Sequence, residues 1–376
     1  MSGEPFRDYD DGIYKNFGEQ PYILELHIGY GLILLLGNDD NNSLLREITY
    51  KKNKFDDEYG IPIPKIHIRD NMSLNPDEYQ FFFNGLKAGE FKIGPNDFLC
   101  IDSGNVIQEP DVPFVRKTKD PSYNMDAFVV EKEYRDVYEK AGYVCVPTFK
   151  VIAEHYETII RKYRTQILDQ CLVNTLAEKI RKINPDVYSD VFFKKTFSAS
   201  NLKIILNYLL EENVSIKDMN TILETIADYA DEKKNILFLV EKIREKLALR
   251  IISRYIDESK VVHVLIVSES LCTLLNENIC ESDSKIEIPE ISLEPEIKRK
   301  LVNKISELLS NSKEQISNTV LVCPHDLRLS FAKYIHNFLP EIPVLSETEI
   351  SVLKNEFEIK LEGEISLDEE SEENTI

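Results

Sequence analysis

The feature that most constrains the fold is a change in residue periodicity along the chain. From residue 167 to 256, apolar residues recur at helical spacing almost without interruption, which predicts a helical domain. Beyond Asp257, short apolar strands such as VVHVLIV alternate with amphipathic stretches, which predicts an α/β domain over residues 257–361. The sequence therefore predicts a mixed α/β (α+β) fold built from several parts.

The part that begins at Tyr22 has the pattern of a β-α-β-β unit. YILELHIGYGLILLL has the composition of a pair of strands, and SLLREITYKKNKFDDEYG follows as an amphipathic helix with Asn42 or Ser43 as its cap. IPKIHI and EYQFFFNG have the pattern of two further strands. The second of these ends in Asn84-Gly85, a dipeptide that strongly favours a hairpin turn.

Residues 96–147 differ from their surroundings, because short strands and several prolines predict a small separate module. Thr148 is then placed to cap a long helix with apolar residues at helical spacing. Within the helical domain, Ser198 or Ser200, and further on Ser215, are expected to cap helices.

The two ends of the chain have the composition of unpacked segments. Residues 1–21 are rich in Gly, Asp and Glu but carry aromatic residues, among them Tyr9, Tyr14 and Phe17, and we interpret them as a linker with aromatic anchors. Residues 362–376 contain seven acidic residues and no compensating base, which predicts a disordered tail. The N-terminus has no basic-then-apolar leader, and the apolar runs are far shorter than the roughly 20 residues that a membrane-spanning helix needs.

Charge and cysteine usage narrow the possible functions. The 376-residue chain has a formal net charge of -21, so phosphate backbones are repelled and nucleic acid is excluded as a partner. The six cysteines are widely scattered and include no C-x-x-C pair, so no zinc site or disulfide framework is predicted. We expect them to be reduced thiols in the core of a cytosolic protein, and we expect no metal or cofactor.

One cluster of polar residues has the composition of a catalytic site. His67, Arg69, Asp70 and Asn71 spell H-x-R-D-N, but His and Arg are not adjacent as in a kinase catalytic loop, and no glycine-rich loop or D-F-G accompanies them. At the end of a strand entering a hairpin, Asp70 and Asn71 are expected to bond the turn backbone and Arg69 to pair nearby.

The other candidate sites have simpler interpretations as well. Gly29-Tyr30-Gly31 lacks the third glycine of a dinucleotide site, and GNDDNNS lacks the central glycine and final glutamate of a calcium loop. His155, on the long helix, is interpreted as a packing or capping residue. Cys323, His325 and Asp326 mark either a helix start or the nucleophile and base of a hydrolase, and this enzyme remains the rival hypothesis.

Six segments in register carry a resemblance to a known family: HIGYGLI, IHIRDN, NPDEYQFFFNG, AGYVCVPTFKVIAEH, LLEENVSIKDMNTILETIADYA and NFLPEIPVLSETEI. In this order they resemble the cytoplasmic domain of the export-gate proteins of flagella and of type III secretion injectisomes, over residues 22 to about 350. The resemblance implies a domain of four subdomains that is not an enzyme. Their borders would be 22–95 plus 148–166, 96–147, 167–256 and 257–361. Asp70 and Asn71 would then be scaffold residues.

The resemblance also implies a docking site. In the family, chaperone–cargo complexes enter an apolar dimple between the first two subdomains, edged by an Asp-Pro-x-aromatic motif, which here is Asp120, Pro121 and Tyr123. Further positions match the dimple floor and its neighbourhood: Ile101, Val146, Val151 and Glu154. Two departures are Tyr123, where flagellar relatives have Phe, and Glu154, where they have Thr. A charge at residue 154 is expected to change which chaperones fit.

The implied partners are those of an export gate. They are neighbouring copies in a nine-membered ring, export chaperones with their cargo, and the export ATPase complex with its stalk and the switch components. The linker residues Tyr9, Tyr14 and Phe17 would reach the neighbouring subunit. The protein would be located at the cytoplasmic face of the bacterial inner membrane. The chain would be either an excised part of a membrane protein or a stand-alone version of this domain. The Asp-Pro-x-aromatic motif favours a flagellar machine, with an injectisome as the alternative.

Overall fold

A computed structural model describes residues 22–37, 43–194, 197–229, 235–256, 259–280, 286–311, 319–352 and 357–367. It confirms the mixed α/β class and divides the chain into two compact units, residues 1–167 and 168–376. The linker residues Tyr9, Tyr14 and Phe17 lie outside the described residues. The borders of the four subdomains remain a prediction.

The first unit begins with a four-stranded sheet in the order β2-β1-β3-β4. Strand β1 pairs in parallel with β2 and antiparallel with β3, which forms a hairpin with β4 through Asn84 and Gly85, both at positive φ. The β-α-β-β prediction is therefore confirmed. Its elements are β1 Leu24–Ile28, α1 Leu44–Tyr59, β2 His67–Asp70, β3 Glu78–Phe83 and β4 Leu86–Lys92.

The expected second half of an N-terminal strand pair is wrong, because Tyr30–Leu36 is a 3-10 helix. Strand β1 already has β2 on one edge and β3 on the other, so no edge remains for a returning strand. Gly29 and Gly31 donate backbone hydrogen bonds to the carbonyls of Glu78 and Pro76, respectively. Both glycines lie so close to the backbone of Asn75 and Pro76 that a Cβ atom would clash with it.

The second sheet of this unit has the order β6-β7-β5-β8 and is antiparallel throughout. A small core of Cys100, Phe128, Val130, Tyr138 and Tyr143 packs between this sheet and the short helix α2. The chain then enters the long helix α3. The elements are β5 Phe98–Ile101, β6 Arg116–Lys119, β7 Asp126–Val130, α2 Arg135–Lys140, β8 Val144–Pro147 and α3 Thr148–Ile167.

Two predicted caps behave differently from expectation. Ser43 precedes α1, but its side chain makes no capping hydrogen bond, and Asn42 lies outside the described residues. Thr148 is the first residue of α3, and its hydroxyl donates to the carbonyls of Gly94 and Asp97 instead of accepting from the helix. Thr148 therefore ties the helix start to the preceding loop.

The second unit begins with a set of helices, as the periodicity predicts. Ser198 caps α6 by accepting from Asn201 N, but the prediction for Ser215 is wrong, because Asp218 accepts from Thr221 N at the start of α7. A π-helical segment spans Asp190–Lys194. The α-helices are α4 Gln170–Ile183, α5 Pro185–Ser189, α6 Ala199–Glu211, α7 Met219–Tyr229 and α8 Ile236–Ile252.

A parallel sheet in the order β13-β12-β9-β14 completes this unit, as expected for an α/β domain. Two short strands, β10 and β11, form a separate pair. The elements are β9 Val261–Val267, α9 Glu269–Glu277, β10 Ile279–Cys280, β11 Glu290–Ile291, α10 Pro295–Asn311, β12 Thr319–Cys323, α11 His325–His336, β13 Val344–Ser346, α12 Glu347–Ser351 and β14 Glu358–Ile365.

The predicted start of the tail at Glu362 is wrong, because β14 continues to Ile365 in register with β9. Glu362 also has bases at hand: it accepts from the ring of buried His263 at 2.7 Å and pairs with Lys360 at 2.9 Å. These contacts integrate Glu362 into the sheet. Residues 368–376 lie outside the described part of the chain.

The cysteine prediction is wrong for three of the six residues. Cys100 and Cys145 are directly opposite each other in the β5–β8 register and form a disulfide, a proximity that a sequence separation of 45 residues conceals. Cys280 is exposed, and the remaining three thiols are buried or half-buried. Among the described residues, no helix is long and apolar enough to cross a membrane.

Candidate docking site

The D-P-S-Y motif forms the reversal between β6 and β7. Asp120 Oδ2 accepts from the backbone N–H groups of Ser122 at 3.1 Å and Tyr123 at 2.6 Å, and the Asp120 carbonyl accepts from Asn124 N at 2.9 Å. Asn124 has a φ of 60°, which asparagine tolerates better than most residues. The motif is therefore a turn held by its own aspartate.

Asp120 is buried, with 6% exposure, and burial raises the pKa of its carboxyl although the two N–H donors oppose the shift. Its hydrogen-bonded oxygen is directed into the turn. Asp120 therefore fixes the conformation of the turn.

Tyr123 is an exposed aromatic residue of the turn, with 64% of its surface accessible. Burial of part of its side chain raises the pKa of its hydroxyl, and the charges of Glu154 and Glu157 on α3 raise it further. Pro121 is half-buried, and Met125, at the end of the turn, is exposed. An exposed aromatic ring on a rigid turn offers contact area at little cost in conformational entropy.

The predicted floor residues Ile101 and Val146 lie on one face of the second sheet. In the β5–β8 register Leu99 pairs with Val146 and Ile101 with Val144, and paired residues project from the same face. Leu99 is fully buried, Ile101 and Val146 are half-buried, and Val144 is 52% exposed. Val144 therefore belongs to this apolar edge, and the alternation V-C-V in β8 is the signal that could have identified it.

Val151 differs from the other predicted floor residues. It lies in the first turns of α3 with 2% exposure, so it packs in the core and cannot touch a partner at this surface. His155, one turn further, is also buried, and its Nδ1 lies 3.0 Å from Tyr79 Oη. Its burial confirms its interpretation as a packing residue, and the same burial lowers the pKa of its ring to about 4.

Glu154 is not an isolated charge. Lys51 of α1 lies 2.5 Å from its carboxylate and 2.8 Å from that of Glu157. Burial lowers the pKa of the Lys51 amine, but hydrogen bonds and attraction from these two carboxylates outweigh it, so the pKa is raised overall. Sequence reasoning missed Lys51, which is 103 residues from Glu154 and has no local signal.

The remaining candidates are structural. Arg69 Nε donates to His27 Nε2 at 2.7 Å, and Asn71 Oδ1 accepts from Ser73 N, which confirms the predicted roles of Arg69 and Asn71. Cys323 is 1% exposed and burial raises the pKa of its thiol, while His325 faces Glu245 at 3.6 Å. A buried thiol that resists ionisation is unsuited to nucleophilic attack.

An exposed aromatic residue on an ordered turn and a partly exposed apolar sheet face are features that protein–protein interfaces share. The chain belongs to the FHIPEP family, whose model matches residues 15–354. This confirms the resemblance to the export-gate family that the sequence carries.

Curated relatives include the flagellar biosynthesis protein FlhA of Treponema pallidum, 32% identical over 330 residues that cover 87% of this chain and 46% of that protein. FlhA of Borreliella burgdorferi is 29% identical over 90% of this chain and 48% of its own length. This chain thus spans about half the length of these relatives.

Solved structures confirm the fold. The Chlamydia pneumoniae CdsV protein superposes with a TM-score of 0.75 at 22% identity, covering 92% of this chain and 97% of that chain. The nonameric EPEC SctV-C structure superposes with a TM-score of 0.72 at 21% identity, covering 93% and 100%. CdsV has also been solved in complex with a second protein, CdsO.

Proposed function

We propose that this chain is the cytoplasmic, ring-forming part of a flagellar protein-export gate and that it docks chaperone–cargo complexes beside Tyr123. It works at the cytoplasmic face of the bacterial inner membrane as a binding module and not as an enzyme. Flagellar function is supported by the flagellar biosynthesis proteins among its relatives. The likeness to the EPEC SctV-C and CdsV structures supports an injectisome gate as the second candidate.

The observation that carries the docking proposal is the exposure of Tyr123 on a turn fixed by buried Asp120. Because the turn is already ordered, a partner that buries the ring orders little else. The sheet that carries this turn adds apolar surface through half-buried Ile101 and Val146 and exposed Val144.

Ring assembly is supported by the nonameric state of EPEC SctV-C and of the EscV cytosolic domain, both similar in fold. We propose that residues 1–21, through Tyr9, Tyr14 and Phe17, contact the neighbouring subunit. Deletion of residues 1–20 is expected to weaken ring formation, and unchanged assembly in analytical ultracentrifugation would contradict that role. The export ATPase complex with its stalk and the switch components are the further partners of this proposal, and the complex of CdsV with CdsO supports an export-apparatus partner.

The test is a calorimetric titration of the protein with a purified flagellar filament-type chaperone bound to its cargo. Tyr123→Ala should weaken binding by about tenfold or more, since a central aromatic contact carries much of the energy of an interface. Asp120→Ala should weaken it as well, by loosening the turn. Tyr30, which is similarly exposed at 57%, provides the matched control Tyr30→Ala, which should bind normally.

A further inference from the structure

The contact between α1 and α3 includes a lysine inserted between two glutamates. Glu154 and Glu157 lie three residues apart on one face of α3, and Lys51 Nζ lies 2.5 Å from the first carboxylate and 2.8 Å from the second. The lysine side chain is only 11% exposed, whereas that of Glu154 is 38% exposed. A largely buried lysine therefore neutralises the partly exposed carboxylate of Glu154.

The two glutamates differ in their other contacts. Glu157 also pairs with Arg161 at 3.2 Å, and Arg161 in turn donates to the hydroxyl of Tyr59. Among the described residues, the ion pair found for Glu154 is the one with Lys51. Loss of Lys51 would thus leave Glu157 compensated but Glu154 unpaired.

Glu154 matches a position of the predicted docking site, and its charge raises the pKa of both Asp120 and Tyr123, two residues of the docking turn. A protein segment that packs on Tyr123 would take water away from this neighbourhood. Desolvation of an unpaired carboxylate is costly, whereas desolvation of a carboxylate already paired with a lysine is much less so.

We infer that Lys51 is a specificity-determining positioning residue of the docking site: it neutralises Glu154 so that the surface around Tyr123 accepts an apolar, uncharged segment of the partner. This inference rests on the proposed docking function. The partner's segment should therefore carry apolar side chains opposite Tyr123 and Val144 and no basic residue opposite Glu154. The expectation that a charge at residue 154 by itself alters chaperone choice is thereby refined, because the pair and not the glutamate sets the charge.

Direct binding of a partner's basic residue by Glu154 would reverse the expected effects of these substitutions. If Glu154 instead bound a basic residue of the partner, Lys51 would compete with that residue. Removal of Lys51 would then strengthen binding, and neutralisation of Glu154 would weaken it. The sign of the two effects therefore distinguishes the two arrangements.

The experiment is a titration of the wild type and its variants with the same flagellar filament-type chaperone–cargo complex. Lys51→Met should bind about tenfold more weakly than the wild type, because the exposed carboxylate must be desolvated without its partner. In the Glu154→Gln background, by contrast, Lys51→Met should change binding by less than about threefold, because the carboxylate that needs a partner is no longer present.

Lys52→Met is the matched control, since Lys52 is the next residue of α1 and pairs with Asp56 on the same helix. It should bind normally, and this separates the effect at Lys51 from a general weakening of α1. The rescue by Glu154→Gln guards against misfolding, because a protein that failed to fold would not regain binding through a second substitution.

Two outcomes overturn the inference. Lys51→Met binding as well as or better than the wild type would show that neutralisation is not needed, and a double variant as weak as Lys51→Met would show that Glu154 is not the charge at issue. If Tyr123→Ala binds weakly while Lys51→Met binds normally, the inference fails and the docking proposal stands. If Tyr123→Ala binds normally, both fail.

Discussion

Two buried polar sites, one in each unit of the chain, are stabilised in different ways. In the first, buried His155 stays neutral between Tyr79 and apolar neighbours, and burial lowers its pKa to about 4. In the second, four buried charged residues, Glu241, Arg244, Arg328 and Glu349, pair with one another and with the half-buried Glu212, and we call these five residues the charge cluster. The first arrangement avoids charge, whereas the second pairs it.

The charge cluster connects helices with the parallel sheet of the second unit. Arg328 of α11 is fully buried and donates from Nε to Glu241 at 2.7 Å and from Nη2 to Glu212 at 3.1 Å. Arg244 of α8 pairs with Glu212 and with Glu349, each at 3.0 Å. Burial alone would raise the pKa of Glu212, but the two arginines outweigh it and lower the pKa to about 2.

Because of this difference, we expect the two sites to be destabilised by different perturbations. A buried ion network tolerates a change of pH in the mildly acidic range but not the loss of one member, because the remaining charges lose their partners. A buried neutral histidine is sensitive to protonation instead. The predictions below test this contrast.

The largest effect is expected when one arginine of the charge cluster is removed. Arg328→Met leaves Glu212 and Glu241 short of a partner and should lower the free energy of unfolding of the second unit by about 3–5 kcal/mol. Urea unfolding followed by circular dichroism measures this loss. Arg181→Met, which removes an exposed pair with Glu178, is the control and should cost less than about 1 kcal/mol. Equal effects of the two substitutions would refute the contrast.

The next effect is the response of the first unit to acid. The folded-state pKa of His155, about 4, lies below its ordinary value of 6.5, so the unfolded state binds a proton between these pH values and the folded state does not. Stability contributed by neutral His155 is therefore present above pH 6.5 and lost as pH falls towards 4, by roughly 3 kcal/mol in all.

Hydrogen exchange with mass spectrometry can resolve this loss on peptides of α3. Protection there should decline from pH 6.5 to 4.5 in the wild type, after correction for intrinsic exchange, and the decline should be smaller in His155→Gln. Glu212 gives a lower window with the same sign, since its lowered pKa keeps its contribution to stability above pH 4.5 and loses it only as pH falls towards 2. Peptides of α8 that lose protection as early as those of α3 would contradict this account.

A smaller effect is expected from crowding His155. A Cβ atom on Gly89 of β4 would lie 2.5 Å from His155 Nε2, so Gly89→Ala should destabilise the first unit by about 1–3 kcal/mol. Gly37→Ala is the control, because its nearest neighbour would be at 3.4 Å. A thermal melt that shows equal stability for both variants would place His155 in a looser environment than the structure shows.

Local sequence signals predicted much of the fold. Strand and helix alternation gave the class, and Asn84-Gly85 marked a turn that both residues enter at positive φ. The failures have a common cause in contacts between distant residues. The 3-10 helix after β1 follows from both edges of that strand being occupied, and the length of β14 follows from its register with β9.

The candidate site was less accessible to such reasoning. Pro121 and Tyr123 have the pattern of an ordinary turn, and only the family resemblance singled them out. Val151 was misplaced because a family position does not report burial. Lys51 has no signal in the sequence, since a charged residue on an amphipathic helix is usually solvated. The same holds for Arg328, which is fully buried.

The most direct test of the central claim is the affinity of this protein for a flagellar chaperone–cargo complex, measured with Tyr123→Ala against the control Tyr30→Ala. Both tyrosines are exposed, so neither substitution should change the free energy of unfolding by more than about 0.5 kcal/mol. The account predicts that the wild type and Tyr30→Ala bind alike and that Tyr123→Ala binds about tenfold or more weakly. Equal binding by all three proteins, or no binding by the wild type, would contradict the docking site proposed for this chain.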